Sequence, residues 1–502
     1  MKHQVSLLPY PSDGIKLLSG SFVFSEILTL AFQDGCFAQS VSFFHEYLQN
    51  TLDREIRLID NVTAPDLLVL QKADCPDEES YHLAVTREGC TLVSGSAKGI
   101  WFGLQTFIQL VRQGKQKLQC CSIVDAPALP WRGFMLDVAR SFCPVEEVLA
   151  VIDSMVLYKM NVLHLHISDD QGWRFPVEGY PELIDAERGY YSYEQLHEIV
   201  AYAEQRNVMV VPEVDMPGHM LAALSVYPGL SCNGGPFSVP RGEGIFRDIL
   251  CVGKPEALGF ARSVIDNLCI LFPAPFIHLG GDEIPLDRWQ RCPDCQRQRQ
   301  QLGLHDEKAL LRWFCNTLTA YAQERGKQVI LWSDYVDASY DSSILTQVWN
   351  PLLEKEKRVN GGRQVIMSDY FHSYLDMSHD LVPLSRVYHY GKTVQRELVR
   401  NDRILGSELL LWTEYLDTRG KRERNLYPRL LAGAEAFWTK CSSLHYRRFK
   451  QTLKHIMQYS PFLEKGVTDI RLWDPPLLKQ RRERRKRKKR ISANSKEAGI
   501  TL

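Results

Sequence analysis

Between Trp131 and about residue 440, short apolar segments alternate with longer stretches whose apolar residues recur every three or four positions. Segments of this kind read as strands at 133–138, 161–167, 208–214, 276–279, 328–332, 344–349, 364–368 and 404–412. They are apolar almost throughout, the signature of strands covered on both faces by helices in a parallel sheet. Between the first two lies a helix with Val145, Val148, Leu149, Ile152, Met155 and Val156 on one face, Pro144 in its first turn and Glu146 and Glu147 near its positive end. Ser192 and Gln195 form a capping box for the next helix, and further helices are expected at 256–271, 306–325 and 427–439. Strands and helices in this order predict an α/β fold, a (β/α)8 TIM barrel.

The first 125 residues have a different texture. Alternating strands at 81–85 and 91–93 and an amphipathic helix at 99–111 predict a small α+β accessory domain over 1–125. Asp125-Ala126-Pro127-Ala128-Leu129-Pro130 forms a joint to a catalytic barrel at 126–470. The formal charge is zero, but residues 481–490 hold nine basic residues and one acid. Such a block repels itself, so 471–502 is expected to be a disordered basic tail.

A 45% apolar and 24% charged composition fits a globular protein. No apolar run approaches the roughly 18 residues of a membrane span, and Pro9 and Pro11 interrupt the N-terminus before a signal-peptide core develops. The 13 cysteines lack a framework spacing, which favours reduced thiols and a cytoplasmic location. Asn61-Val62-Thr63 is a glycosylation sequon usable only by a secreted chain.

If the barrel reading holds, residues just past the C-terminal strand ends should converge on one site. In chain order these are Asp137 to Arg140, Ser168 to Trp173, Glu213 to His219, Asp282-Glu283, Trp332 to Asp334, Trp349-Asn350, Tyr374 to Asp376 and Trp412 to Glu414. Tryptophans at three strand ends, set among carboxylates and an arginine, suit the C–H faces and hydroxyls of a sugar. The fourth strand runs into His278-Leu279-Gly280-Gly281-Asp282-Glu283, where glycines let the chain bend and a ligand approach. An isolated Asp-Glu pair is more often an acidic loop or helix cap; this one belongs to the larger set. Ordinary glycosidases place two carboxyl groups on opposite sides of the scissile bond. Adjacent residues are poorly placed for that, so one of them would donate a proton and the nucleophile would come from the substrate's acetamido group.

Trp131-Arg132-Gly133-Phe134-Met135-Leu136-Asp137-Val138-Ala139-Arg140, His164-Leu165-His166-Ile167-Ser168-Asp169-Asp170-Gln171, Asp215-Met216-Pro217-Gly218-His219 and the run at 278–283 closely resemble the family 20 glycoside hydrolases, the β-N-acetylhexosaminidases. The resemblance covers residues 1 to about 470 and includes Leu8-Pro9-Tyr10-Pro11 and Gly99 to Thr106 of the accessory domain. It implies an exo-acting enzyme that releases terminal β-linked GlcNAc or GalNAc with retention, through an oxazoline, and needs no cofactor or metal. Its partner is a carbohydrate, with no required nucleic acid. Carried over by motif, the resemblance makes Glu283 the general acid/base. Asp282 would hold the acetamido N–H and Tyr374 its carbonyl oxygen. Trp332, Trp349 and Trp412 would enclose the acetamido methyl and the ring, Arg140 would clamp O3 and O4, and Asp376 and Glu414 would bind O4 and O6. Asp169 and His219 would orient and tune the acid. The chain departs from the family at Ser141, where a histidine is frequent.

Two other readings compete. His164-Leu165-His166 also matches the H-x-H of metal-dependent barrel hydrolases. Cys292-Pro293-Asp294-Cys295 is a lone CxxC with no further cysteines at zinc-site spacing, which reads as unpaired loop thiols. A catalytically inert sugar binder is disfavoured because Asp282, Glu283 and Tyr374 are all present.

Overall fold

The computed structural model describes residues 5–24, 27–32, 37–59, 67–114, 116–242, 244–350, 362–457 and 473–497, and the sequon at Asn61 lies outside them. Seven strands form the N-terminal sheet: β1 (Lys16–Val23), β2 (Leu28–Phe32), β3 (Ile56–Ile59), β4 (Leu67–Lys72), β5 (Tyr81–Val85), β6 (Cys90–Ser94) and β7 (Lys117–Asp125). Their order is β1-β7-β5-β6-β4-β2-β3, and helices α1 (Ala38–Leu52) and α2 (Ala97–Gly114) accompany them. On β5 the alternation is realised directly, with Tyr81, Leu83 and Val85 buried and His82 and Ala84 half-buried. Helix α2 is buried along its whole middle from Gly99 to Val111, as befits a helix packed on more than one side.

The barrel begins with β8 (Trp131–Asp137) and β9 (Val162–Asp169), after which the two-residue β10 (Gly172–Trp173) folds back on the end of β9. It continues through β11 (Met209–Val214), β12 (Phe276–His278), β13 (Gln328–Trp332), β14 (Leu345–Val348), β15 (Val365–Met367) and β16 (Ile404–Leu411). These strands are parallel in the order β9-β11-β12-β13-β14-β15-β16-β8, and β8 pairs with β9 to close the ring. Every residue of β8 and β9 is buried, as their apolar composition requires.

Helices α3 (Val145–Leu157), α4 (Tyr193–Gln205), the short α5 (Leu221–Val226), α6 (Pro255–Leu271), α7 (Asp287–Arg291), α8 (Pro293–Gln301) and α9 (Glu307–Gln323) follow the first four strands. After them come α10 (Tyr370–Ser373), α11 (Leu384–Arg400), α12 (Arg419–Leu426), α13 (Arg429–Trp438) and α14 (Tyr446–Ile456). The capping box of α4 is present, Ser192 and Gln195 exchanging side chain–backbone hydrogen bonds. Pro144 occupies the N-cap of α3 rather than its first turn, and Glu147 is buried in a two-pronged ion pair with Arg422 of α12, 2.6 Å at each prong. Among the described residues no helix links β13 to β14 or β14 to β15. The first of these links is instead ordered by Arg363, which donates to the carbonyls of Asp337, Tyr340 and Asp341.

The C-terminal segment differs from its expected disorder, for Leu477–Glu497 forms a helix, α15. Arginine and lysine are good helix formers, and the first half of the helix finds partners on the barrel. Lys479 pairs with Asp380 at 2.8 Å, Arg484 lies over the Phe371 ring, and Arg487 donates to the Tyr370 hydroxyl at 2.5 Å.

A buried charge cluster joins the two domains at the N-terminal end of the barrel strands. Asp125, at the end of β7, accepts from Lys159 Nζ at 2.9 Å, from the Tyr81 hydroxyl at 2.6 Å and from the Trp438 indole at 2.9 Å. Lys159 is itself fully buried and lies 4.4 Å from the centre of the Trp438 ring. Asp125→Ala therefore strands a buried ammonium and is expected to cost about 3–5 kcal/mol of folding stability in denaturant titration. Because the cluster is at the end of the barrel away from the site, the folded fraction should keep its kcat; a loss below about 1 kcal/mol would contradict this account of the domain seam.

Candidate active site

The C-terminal end of β12 turns sharply because three of its residues adopt left-handed conformations: Gly280 (φ 63°), Gly281 (φ 84°) and Glu283 (φ 49°). A Cβ on Gly280 would lie 1.9 Å from Asp215 Oδ1, so the missing side chain admits a neighbouring carboxylate, where the sequence suggested close approach of a ligand. Asp215 Oδ1 accepts the Gly281 N–H at 2.9 Å, and the Trp332 N–H donates to the Gly280 carbonyl at 2.9 Å. The turn carrying Asp282 and Glu283 is thus anchored to the ends of both flanking strands.

Asp282 and Asp215 hydrogen-bond to each other, which requires that the pair share a proton. Burial, and then the charge of Asp215, push Asp282 well up, while burial and the charge of Glu213 raise Asp215 to about 7 although His219 and the bond to Asp282 pull it down. Asp282 Oδ1 is buried and has no hydrogen-bond partner within the protein. Glu283 keeps 34% of its side chain exposed and lies 4.0 Å from His219 Nε2. Desolvation in the cleft, and then the charge of Asp282, raise its carboxyl to about 7. Asp334 accepts the Glu283 N–H and the Trp349 indole, the latter at 2.5 Å, and is itself raised to about 7, chiefly by burial.

A chain of charges runs along the ends of β8, β9 and β11. Arg140 pairs with Asp169 at 2.6 Å and with Asp137 at 3.5 Å, and its guanidinium lies 4.8 Å from the centre of the Trp412 ring. His219 Nδ1 sits 3.3 Å from both Asp169 and Asp170. Although burial pulls it down, the charges of Asp169 and Asp215 and the hydrogen bonds to Asp169 and Asp170 raise His219 well above an ordinary histidine, which favours its cationic form beside Glu283. Asp137 also accepts the backbone N–H groups of Ala139, Arg140 and Thr413. Ser141, where the sequence departs from its resemblance, bonds Thr413 through both its N–H and its hydroxyl, tying the end of β8 to that of β16.

The aromatic residues line up as walls. Trp332 and Trp412 have ring centres 6.1 Å apart, Trp412 and Tyr374 6.3 Å, and Tyr374 and Trp349 6.4 Å. Tyr374 feels the charges of both Asp376 and Asp282, which with burial push its hydroxyl well up, so it remains a neutral donor. Burial and the charge of Glu414 raise Asp376 to about 8, while Glu414 also faces Arg140. All eleven residues expected at the site therefore lie on the C-terminal rim, linked by contact or by charge.

Beneath the rim is a buried network that the strand-end survey largely passed over. Parallel register puts His166 beside Glu213 and Glu213 beside His278. Glu213 faces His166 at 2.5 Å, His164 and His278 at 3.1 Å each, and the Trp332 indole at 2.6 Å. Glu408 accepts from Trp131 at 2.7 Å, faces His164 at 3.0 Å and occupies space that a Cβ on Gly133 would fill. Both nitrogens of His164 and both of His166 face carboxylates, the second nitrogen of His166 meeting Asp169 at 3.0 Å. Although burial pulls them down, these carboxylates lift His164 to about 9 and His166 to about 10. The H-x-H pair is thus a charged brace beneath Trp332 and Asp169. A carboxylate within the otherwise apolar strand 209–214, opposite two histidines of the same parity, was the available sequence signal.

The lone-CxxC reading needs correction. Cys232 and Cys251, from the loop after β11, bring their sulfurs to Cys292 and Cys295, from the loop after β12. Ligand spacing within one segment could not show this, because the partners come from two loops.

Carboxylates, tryptophans and an arginine gathered on the C-terminal rim of a closed barrel define a hydrolase acting on carbohydrate. A family model described as glycosyl hydrolase family 20, catalytic domain, matches residues 129–441, and one described as domain 2 of that family matches residues 4–126. The β-hexosaminidase of Akkermansia muciniphila is 31% identical over 79% of this chain and 87% of its own length. That of Porphyromonas gingivalis is 34% identical over 75% of this chain, which spans about half (53%) of that longer protein. The Vibrio harveyi exo-β-N-acetylglucosaminidase, solved in complex with N-acetylglucosamine, superposes with a TM-score of 0.82 at 26% identity, covering 93% of this chain and 79% of that one. The chain belongs to glycosyl hydrolase family 20 and is a glycoside hydrolase.

Proposed function

We propose that this enzyme is an exo-acting β-N-acetylhexosaminidase that removes terminal, non-reducing β-linked GlcNAc or GalNAc with retention of configuration, the substrate's own acetamido oxygen serving as nucleophile. The observation that carries the reading is the half-exposed Asp282 on the rim, backed by Asp215, beside Tyr374 and next to Glu283. With a proton shared between Asp215 and Asp282, the exposed oxygen of Asp282 accepts an amide N–H. As positive charge develops on the attacking amide, moving the proton onto Asp215 leaves Asp282 a full carboxylate to stabilise it. Tyr374 donates to the amide oxygen and aims it at the anomeric carbon, while Trp332, Trp349 and Trp412 hold the methyl and the ring face. Arg140, Asp376 and Glu414 bind the outer hydroxyls and end the pocket beyond a single terminal sugar, which accounts for exo action.

Glu283, raised to about 7, supplies a proton to the leaving oxygen and then, as the base, takes one from the water that opens the oxazoline. A reducing, cytoplasmic setting belongs to the same proposal, supported by the lack of a disulfide-framework spacing among the 13 cysteines. Kinetics on p-nitrophenyl β-GlcNAc, β-GalNAc and β-glucoside test it. Turnover of at least one acetamido sugar and none of the glucoside is expected. Comparable rates on the glucoside would sink the reading.

A further inference from the structure

We propose that Cys232, Cys251, Cys292 and Cys295 bind a single structural zinc ion that pins together the two loops leading from β11 and β12. Their sulfurs all lie within 4.8 Å of one another. The separations Cys251–Cys295, Cys251–Cys292 and Cys232–Cys295 are 3.5, 3.6 and 3.8 Å. Four thiolates at a zinc–sulfur distance of about 2.3 Å form a tetrahedron with edges of about 3.8 Å. A disulfide would need about 2.05 Å, and it would pair two sulfurs instead of bringing one, Cys251, close to two others.

The surroundings are those of a built site. Cys251, Cys292 and Cys295 are buried and Cys232 is half-buried. Cys292 caps α8 and Cys295 lies in its first turn, so the helix's free N–H groups and positive end face the thiolates. The Gly253 N–H also points at the sulfurs of Cys251 and Cys295. Gly253 has no room for a side chain, since a Cβ there would come 2.2 Å from the Asp294 backbone; the two loops meet main chain to main chain. A bridge between Ser231 and Leu250 closes the base of the segment that Cys232 and Cys251 flank, and Trp289 donates to the Leu250 carbonyl at 2.9 Å.

With four protein ligands the ion has no open position, so its role is to hold the scaffold. His219 precedes one pair of cysteines and Asp282-Glu283 precedes the other. Zinc would fix the relative placement of the two loops that carry the acid and its neighbouring cation.

Elemental analysis of untagged, full-length protein purified without chelator is the test, with one zinc per chain expected. X-ray absorption at the zinc edge should show four sulfur neighbours at about 2.3 Å. Titrating the thiols with a mercurial should release the zinc to a chromogenic chelator. In Cys292→Ser/Cys295→Ser the zinc content should fall to background and thermal stability should drop, whereas Cys315→Ser, a buried cysteine outside the cluster, should keep its zinc. Glu283→Gln should also keep its zinc, so a failed catalytic assignment would leave this result standing. If the double variant does not fold, the absorption spectrum of the parent enzyme decides the matter. Folded protein with little zinc, iron in its place, or a disulfide among these residues in non-reducing peptide mass spectrometry overturns the proposal.

Discussion

Replacing Glu283 with glutamine is expected to lower kcat/KM on chitobiose by about 10²–10⁴-fold, the usual contribution of a positioned acid/base, while leaving the fold intact. Glutamine preserves the side chain's size and removes only its titration, so thermal stability should change little. Aryl glycosides with acidic phenols as leaving groups need less protonation and should be hurt least. The carboxyl is raised to about 7, and only its protonated form can donate. Activity should therefore fall as pH rises through that value. Asp215 and Asp334 titrate in the same region, so the comparison of variants identifies Glu283 better than the position of the limb does. In Glu283→Gln the residual turnover of activated substrates should lose most of this dependence. Near-normal hydrolysis of chitobiose by the folded variant would remove Glu283 from the role.

Asp282→Ala is expected to be nearly as damaging, lowering kcat by about 10²–10³-fold, the scale on which loss of one charge-stabilising group acts. The effect should fall on kcat more than on KM, because the acetamido group still enters its aromatic walls but is no longer turned toward the anomeric carbon. Folding should not suffer at neutral or higher pH. Burial, and then the charge of Asp215, hold Asp282 well above the usual carboxylate range, so truncating it removes an unfavourable ionisation that grows as pH rises. A variant with kcat within tenfold of the parent would contradict the proposed role. Loss of folding at pH 8 would contradict the reading of the pair.

Much of this molecule was legible from local pattern. Fully buried parallel strands leave apolar runs, so β13 was expected at 328–332 and is found there, and β16 ends one residue before the expected 412. The rim residues were legible because a barrel strand's C-terminal end is a defined place for chemistry, and each such end carried polar or aromatic residues. What escaped depended on register and on neighbours distant in sequence. Glu213 meets three histidines only because β9, β11 and β12 align in one row. Gly280 proved to make room for Asp215, a contact across 65 positions that no local signal announces. The four cysteines come together because two separate βα loops fold over the same corner of the rim. Charge density also misled at the C-terminus, where Lys479, Arg484 and Arg487 find an acid and aromatic faces on the barrel.

The central claim is that the substrate's amide is the nucleophile, and its most direct test varies that nucleophile alone. Rates would be measured on aryl β-glucosaminides whose N-acetyl group carries successively more fluorine, which drains electron density from the carbonyl oxygen and leaves the leaving group unchanged. Neighbouring attack predicts that kcat/KM falls steeply with each fluorine while the released sugar keeps the β configuration. A flat dependence on fluorination, or a glycosyl group covalently attached to the enzyme, would show that a protein carboxylate does the work.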